Sequence, residues 1–404
     1  MMDTTLKKGI YTLNQYLGNV LANAMSEGHQ VALWRKPKSS FLQVLIDTTG
    51  NLKRTPLQIE VLPAGFIVHP FVDQEDKKAF FLEANQYLKI DLNYPLEEQE
   101  SLPVLEEGIE TSKAASDTIK KAIFENINSS KTSTETNKEA FLTLVEKGLA
   151  AIEAGHLNKI VPARTKKLKL NQDFDLVKSI LSMVKSYPNA FINFFHIPSI
   201  GSWIGASPEV LIQTKGDNFS TMALAGTQKA RGDNPLKTVA WTQKEIEEQA
   251  LVSRYIVDCF KKIRLRDYDE QGPKTVLAGN LLHLRSDFRV DMRRTNFQQL
   301  GSVMLELLHP TSAVCGMPRK PALDFLLENE KFDRCLFAGF IGPVNIEEET
   351  SIYVNLRTAQ LLDGFALLYA GAGVTEDSIP EKEWEETEMK CEIIAKHLNL
   401  ENPL

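Results

Sequence analysis

Cysteine is scarce in this chain. Only four thiols occur in 404 residues, Cys259, Cys315, Cys335 and Cys391, and no two of them form a CxxC pair. That scatter disfavours a zinc framework or a disulfide scaffold and fits reduced thiols in the cytoplasm. Positive charge is also in deficit, with 46 Lys and Arg against 53 Asp and Glu and a formal net charge of -7. A general nucleic-acid or membrane-surface protein needs the opposite sign, so neither partner is expected. Long apolar runs are missing. The opening MMDTTLKKGIYTLNQYLGNVLANAM is amphipathic and reads as neither a signal peptide nor a membrane span. No GxxxxGK[ST] phosphate cradle and no repeat at solenoid period occur. What remains is a soluble globular composition, 43% hydrophobic and 25% charged, long enough for one large domain or two.

Residues 1 to about 100 read as short mixed segments: HQVALWRKP and FLQVLIDT predict strands, and EDKKAFFLEANQYL predicts a helix. The polar stretch NINSSKTSTETN, residues 126–137, predicts an exposed loop and the main internal boundary, between an N-terminal part (1–135) and the remainder (138–404). A helix follows. Thr136 and Glu139 have capping-box spacing, Phe141, Leu144, Val145, Leu149 and Ile152 form one stripe, and Gly155 suits the stop. Beyond the strand KIVPART come AFINFFHI, GSWIGASPEVLIQT, FSTMALAGT, FAGFIGPV, TSIYVNLRTAQLL and GFALLYAGAG, in blocks between long helices. Adjacent strands with short turns and separately grouped helices predict an α+β fold: large antiparallel β-sheets packed together, helices outside.

One acidic phrase occurs twice, KEIEE at 244–248 and KEWEE at 382–386. In a helix, carboxylates three residues apart project from one face. Such a face is usually just solvated. Here it stands within an ordered series: KIVPAR (159–164), GASPE (205–209), LAGT (224–227), KEIEEQ (244–249), LLHL (281–284), HPTSAVCGMP (309–318), FAGFIG (337–342), NLRTA (355–359), AGAG (370–373) and EKEWEETEMK (381–390). This series resembles the chorismate-utilising enzymes and looks most like their isochorismate synthase branch. The first 135 residues carry no motif of that family.

The resemblance implies a single catalytic domain over residues 1–404 that binds chorismate with Mg2+ as cofactor. Glu248 and Glu386 would be direct metal ligands, with Glu245 and Glu383 holding metal-bound waters; Glu247, Glu385 and Glu388 fall off the shared face and are expected in solvent. Mg2+ is a hard ion that accepts one or two carboxylates and keeps several waters. Lys159 would activate water for attack at ring C2, and Glu209 would protonate the departing C4 hydroxyl. The first needs a lysine able to lose a proton, the second a carboxyl kept partly protonated by burial. Arg357, with the amides of Gly371 and Gly373, would hold the enolpyruvyl carboxylate, since a planar guanidinium matches a carboxylate and glycines let main-chain N–H groups approach. Gly226, Thr227, His283 and Lys390 would complete the substrate site.

Three positions bear on the branch within the family. Lys159 stands where anthranilate synthases carry glutamine, so no glutaminase partner is expected. Ala225 stands where aminodeoxychorismate synthases carry a nucleophilic lysine. Ala313 stands where salicylate synthases, which go on to eliminate pyruvate, carry threonine. The implied activity is an isomerase converting chorismate to isochorismate, for menaquinone, siderophore or salicylate formation, with salicylate synthase as the alternative and anthranilate synthase component I behind it. Departures are Pro162, which demands an edge or a bulge, Gln249 where histidine is common, and Phe337 where many relatives have tyrosine.

Overall fold

In the computed structural model, which describes residues 11–72, 78–103, 112–125, 135–230, 234–278 and 281–399, the apolar strands sort into two large antiparallel sheets. The first has eight strands in the spatial order Gln86–Asp91, Phe41–Asp47, Gln30–Arg35, Phe191–Ile197, Gly201–Ser207, Thr358–Leu362, Phe365–Gly371 and Ala163–Lys169. The second has nine: Asp269–Ala278, Leu281–Asp291, Asn218–Lys229, Val210–Lys215, Glu349–Val354, Phe340–Val344, Gly65–His69, Lys78–Glu83 and Lys53–Pro56. A short pair joins Lys159–Ile160 to Gly316–Met317. The fold is α+β. Strands from the first hundred residues enter both sheets, Gln30–Arg35 pairing with Phe191–Ile197 and Gly65–His69 with Phe340–Val344.

Alternation explains why central strands read as unbroken apolar runs. Every residue of Phe191–Ile197 is buried. Phe191, Phe195 and Ile197 join one core cluster with Phe66, Phe219 and Tyr353 of the second sheet. Their neighbours Ile192 and Phe194 join another, with Leu17, Ile119, Ile180 and Ile394 from four helices. A strand covered by a sheet on one face and helices on the other has no polar face to show.

Two local expectations are corrected. The predicted helix EDKKAFFLEANQYL is, in its described residues, the strand Lys78–Glu83, a turn, and the strand Gln86–Asp91. Its apolar cluster satisfies a period of two when Ala79 and Phe81 turn inward, and Phe81 packs where a side chain on Gly65 would collide with it. The helix Lys138–Glu153 is capped by Asn137, whose Oδ1 accepts from the Ala140 N–H at 2.8 Å. Thr136 does not cap it, because its own N–H is bonded to the Thr165 carbonyl at 3.2 Å. Of the predicted loop, residues 126–134 lie outside the described residues. Pro162 separates the strand pairs on either side of it, and Ala163–Lys169 is the edge of the first sheet.

Two crossovers position the site. Ser207-Pro208-Glu209 carries the chain from the first sheet to the second, and Asn355-Leu356-Arg357 carries it back. They run side by side: the Val354 N–H donates to the Glu209 carbonyl at 3.1 Å, and the Ala206 N–H to the Arg357 carbonyl at 2.9 Å.

Candidate active site

Each crossover delivers one buried charge-bearing side chain. Glu209 is 4% exposed, and its carboxyl makes no hydrogen bond among the described residues. Burial therefore pushes its pKa up to about 8, although Lys159, Arg357 and Lys390 pull it back. Arg357 takes a left-handed backbone, φ 49°, which turns its side chain into a cavity of about 60 Å³ lined also by Val161, Ala313, Phe337, Tyr369, Gly371 and Lys390. Burial lowers its guanidinium to about 10, against the pull of Glu386, Tyr187 and Glu209, so it stays charged at neutral pH. Phe337 stacks on Tyr369 with ring centroids 5.5 Å apart, giving the cavity an apolar wall beside the Arg357 guanidinium.

Lys159 enters from the short pair, held by Gly316–Met317 on one side and by the Ile160–Val374 bridge on the other. It is fully buried. Its Nζ donates to Glu248 Oε1 at 2.9 Å. Gly373 presses on this pair: a Cβ there would fall 2.3 Å from Glu248 Oε1 and 3.2 Å from Lys159 Cε. The glycine is therefore required for close approach. Burial raises the Glu248 carboxyl, but Lys159 outweighs it, with Lys244 and Lys390 adding to the pull, and the net shift is downward.

Both acidic phrases are helical, in Gln243–Lys262 and Pro380–Leu398. Glu245 caps its own helix, accepting from the Thr242 N–H at 2.8 Å, and also accepts from Gln228 Nε2 at 2.8 Å. Glu386 pairs with Lys390 at 2.7 Å, and Lys390 donates to the Gly371 carbonyl at 2.7 Å. Glu383 binds Lys244 across the gap between the helices. Burial and the neighbouring Glu386 raise the Glu383 carboxyl, against the pull of Lys244. Among the described residues, the three carboxylates whose oxygens all lie within 4.8 Å are Glu247, Glu376 and Asp377, all exposed. The four predicted glutamates are not drawn together to that degree, each being held by a partner of its own. Mg2+ fits this donor set: hard oxygens on two linked helices, and a buried Glu383 Oε2 with no hydrogen bond of ordinary geometry among the described residues.

Gly226 sits in a β-bulge with φ 69°. Its carbonyl accepts from His283 Nδ1 at 2.7 Å, with the Thr227 hydroxyl 3.5 Å from the same nitrogen. Burial lowers His283 to about 3, so the ring is neutral, with its proton on Nδ1 and Nε2 left as an unpartnered acceptor. Thr227 also opens onto a groove of about 850 Å³ beside Trp384 and Met389. Gln249 is buried and donates to the Ala223 carbonyl and the Ser286 hydroxyl. Glu388, expected in solvent, is ion-paired to Arg164 and Lys166. Arg164 stacks at 3.8 Å on the Trp384 ring and donates to Thr387 at 2.6 Å, which fixes the second acidic helix to the strand beside Lys159. The sequence reading missed this clamp. It also missed Lys244, whose signal was present: a lysine in the first turn of a helix opposes the helix dipole.

A buried arginine in a small cavity, a buried lysine, a buried carboxyl and two acidic helices are thus brought into one region. The chain belongs to the chorismate binding enzyme family, whose profile matches residues 63–399. Isochorismate synthase EntC of Escherichia coli K12 is 28% identical over 257 residues, 62% of this chain and 64% of EntC. The match thus spans less than two thirds of that relative's length. The backbone resembles MenF, the menaquinone-specific isochorismate synthase of Escherichia coli, with a TM-score of 0.69 and 20% identity over 97% of this chain and 92% of MenF. It also resembles anthranilate synthase component I of Streptococcus pneumoniae, with a TM-score of 0.64 and 19% identity over 91% of this chain and 92% of that one. The fold is therefore shared by different activities, and the branch must be argued from residues.

Proposed function

We propose that this protein is a Mg2+-dependent isochorismate synthase, an isomerase that adds water at C2 of chorismate and removes the C4 hydroxyl. The observation that carries the reading is geometric: the buried Glu209, 4% exposed, whose carboxyl has no hydrogen bond among the described residues, in one site with the fully buried Lys159. Arg357 takes the enolpyruvyl carboxylate in its cavity, where no carboxylate among the described residues is bonded to it. Glu248 and Glu386 would hold Mg2+, which would supply positive charge for the ring carboxylate of chorismate. Lys159 Nζ parts from Glu248, releases its own ammonium proton to solvent, and as a neutral amine accepts a proton from the attacking water. The double bonds shift, and Glu209 gives its proton to the C4 oxygen, which leaves as water. Holding water, ring and acid in register replaces a poor encounter with a positioned one. Water as nucleophile needs no ammonia-supplying partner.

Salicylate synthase is the second reading, and Ala313 is the residue that bears on it. It lines the Arg357 cavity with a methyl group, where a threonine hydroxyl would be expected for that chemistry. Incubation with chorismate and Mg2+ followed by product separation decides the matter. Isochorismate without pyruvate supports the proposal, pyruvate with salicylate replaces it, and no turnover with or without ammonia rejects both. Lys159→Ala is expected to abolish turnover while leaving the fold intact by circular dichroism; a near-normal rate removes Lys159 from the mechanism.

A further inference from the structure

Lys244 has no task in this reaction, yet its placement is costly. It is the second residue of the helix Gln243–Lys262, where unpaired N–H groups and the helix dipole disfavour a cation. Its Nζ crosses to Glu383 on the other acidic helix as an ion pair, and Glu386 and Glu248 add attraction. Glu383 is 1% exposed. One of its oxygens takes the ammonium. The other, Oε2, has no hydrogen-bond partner, although the Ser378 hydroxyl faces the carboxyl. A buried carboxylate with one oxygen on a monovalent cation, and the other with no hydrogen bond of ordinary geometry among the described residues, is only half satisfied. Lys159 and Lys390 make corresponding pairs with Glu248 and Glu386 at 2.9 and 2.7 Å. Those two lysines also face the substrate site, whereas Lys244 serves the acidic helices alone and its side chain is 24% exposed.

We propose that Lys244 is a positioning residue acting as an internal counter-ion: it ties the two acidic helices together at Glu383 and yields that carboxylate when a divalent cation and its waters enter. The inference rests on the Mg2+ site proposed above. Lysine and metal then compete for one carboxylate, so the lysine weakens metal binding while keeping the empty site assembled. A lysine that only braced the fold would have the opposite effect, because removing it would loosen the ligands.

Calorimetric titration of the chorismate-free full chain with MgCl2 tests this without reference to turnover. Lys244→Met, which keeps the stem and removes the charge, is expected to tighten Mg2+ binding by about tenfold, the effect of losing one modest ion pair as competitor. Lys244→Gln should tighten it likewise, and Lys244→Arg should stay near the wild-type value. Thermal unfolding gives a second measure: both neutral variants should melt below wild type in EDTA and gain more than wild type on adding Mg2+. Unchanged or weaker Mg2+ binding in the neutral variants overturns the competition. Failure of the metal reading itself looks different. In that case Glu248→Gln and Glu386→Gln bind Mg2+ as wild type does, or wild type binds none even with chorismate present, and both inferences fall.

Discussion

Glu209→Gln should make the protein more stable and less active, and the stability gain should depend on pH. In the unfolded chain this carboxyl titrates near 4.5, while in the folded protein burial holds it at about 8. Between those values the folded state keeps a proton that the unfolded state has lost, so stability falls as pH rises. At 1.36 kcal/mol per pH unit, the folded protein gives up about 1 kcal/mol at pH 5 and about 3 kcal/mol at pH 7 relative to a neutral isostere. Glutamine removes this dependence and keeps a hydrogen-bond donor in nearly the same volume. Urea unfolding followed by tryptophan fluorescence, run on both proteins from pH 5 to pH 8, reads the difference directly. The variant should gain on wild type as pH rises, while turnover falls by at least about a hundredfold, the usual contribution of a general acid. A stability difference that stays flat across this range would refute the assignment of Glu209 as a carboxyl kept protonated by burial.

Gly373→Ala should lower turnover at least about tenfold with little change in far-UV circular dichroism, because its Cβ would fall 2.3 Å from Glu248 Oε1 and displace the Lys159–Glu248 pair; a normal rate would show that this pair need not hold its place. Glu349→Gln should weaken the protein at neutral pH by about 1–2 kcal/mol, discounted for partial solvation. Although burial opposes it, Lys36 at 2.8 Å and Ser351 at 2.6 Å hold the Glu349 carboxyl down at about 2. The stabilisation is present above the ordinary value near 4.5 and lost as pH falls toward 2, so unfolding curves of wild type and variant should converge between pH 4 and pH 2 and stay apart at pH 7.

Much of the fold was legible because the central strands are buried on both faces. Runs such as FINFFHI carry that signal without any partner being known. The two strands in EDKKAFFLEANQYL, which go to different sheets, were not legible: Phe80, Phe81 and Leu82 fit either period, and pairing with Gly65–His69 decides between them. The site residues came from an ordered series of short motifs, and the structure brings Lys159, Glu209, Arg357, Lys390 and both acidic helices into one region. Their ion pairing was beyond reach. Lys159 meets Glu248 from 89 residues away and Lys244 meets Glu383 from 139, and no local pattern states which ammonium takes which carboxylate. Nor does GASPE announce that Glu209 lies on a passage between sheets. That follows only once Gly201–Ser207 and Val210–Lys215 are assigned to different layers.

The pairings bear on the acid itself. Three cations pull on Glu209, namely Lys159, Arg357 and Lys390, yet burial still holds its carboxyl up at about 8. Free ammonium groups so near a buried carboxyl would ionise it, since an opposite charge within a few ångströms lowers a carboxylate by 1–3 units. Here Lys159 is bound to Glu248 and Lys390 to Glu386, and each pair presents a dipole whose pull on a third group falls off faster than that of a lone charge. Arg357 remains the one unpaired cation of the three, and in the proposed reaction it is the group that a substrate carboxylate neutralises. Binding would thus remove the Arg357 pull on Glu209, and Lys159, once parted from Glu248 and neutral, would add none when the proton is needed. In this way the acidic helices do more than offer oxygens to an ion: by occupying the lysines they allow a carboxyl a short distance away to remain an acid near neutral pH.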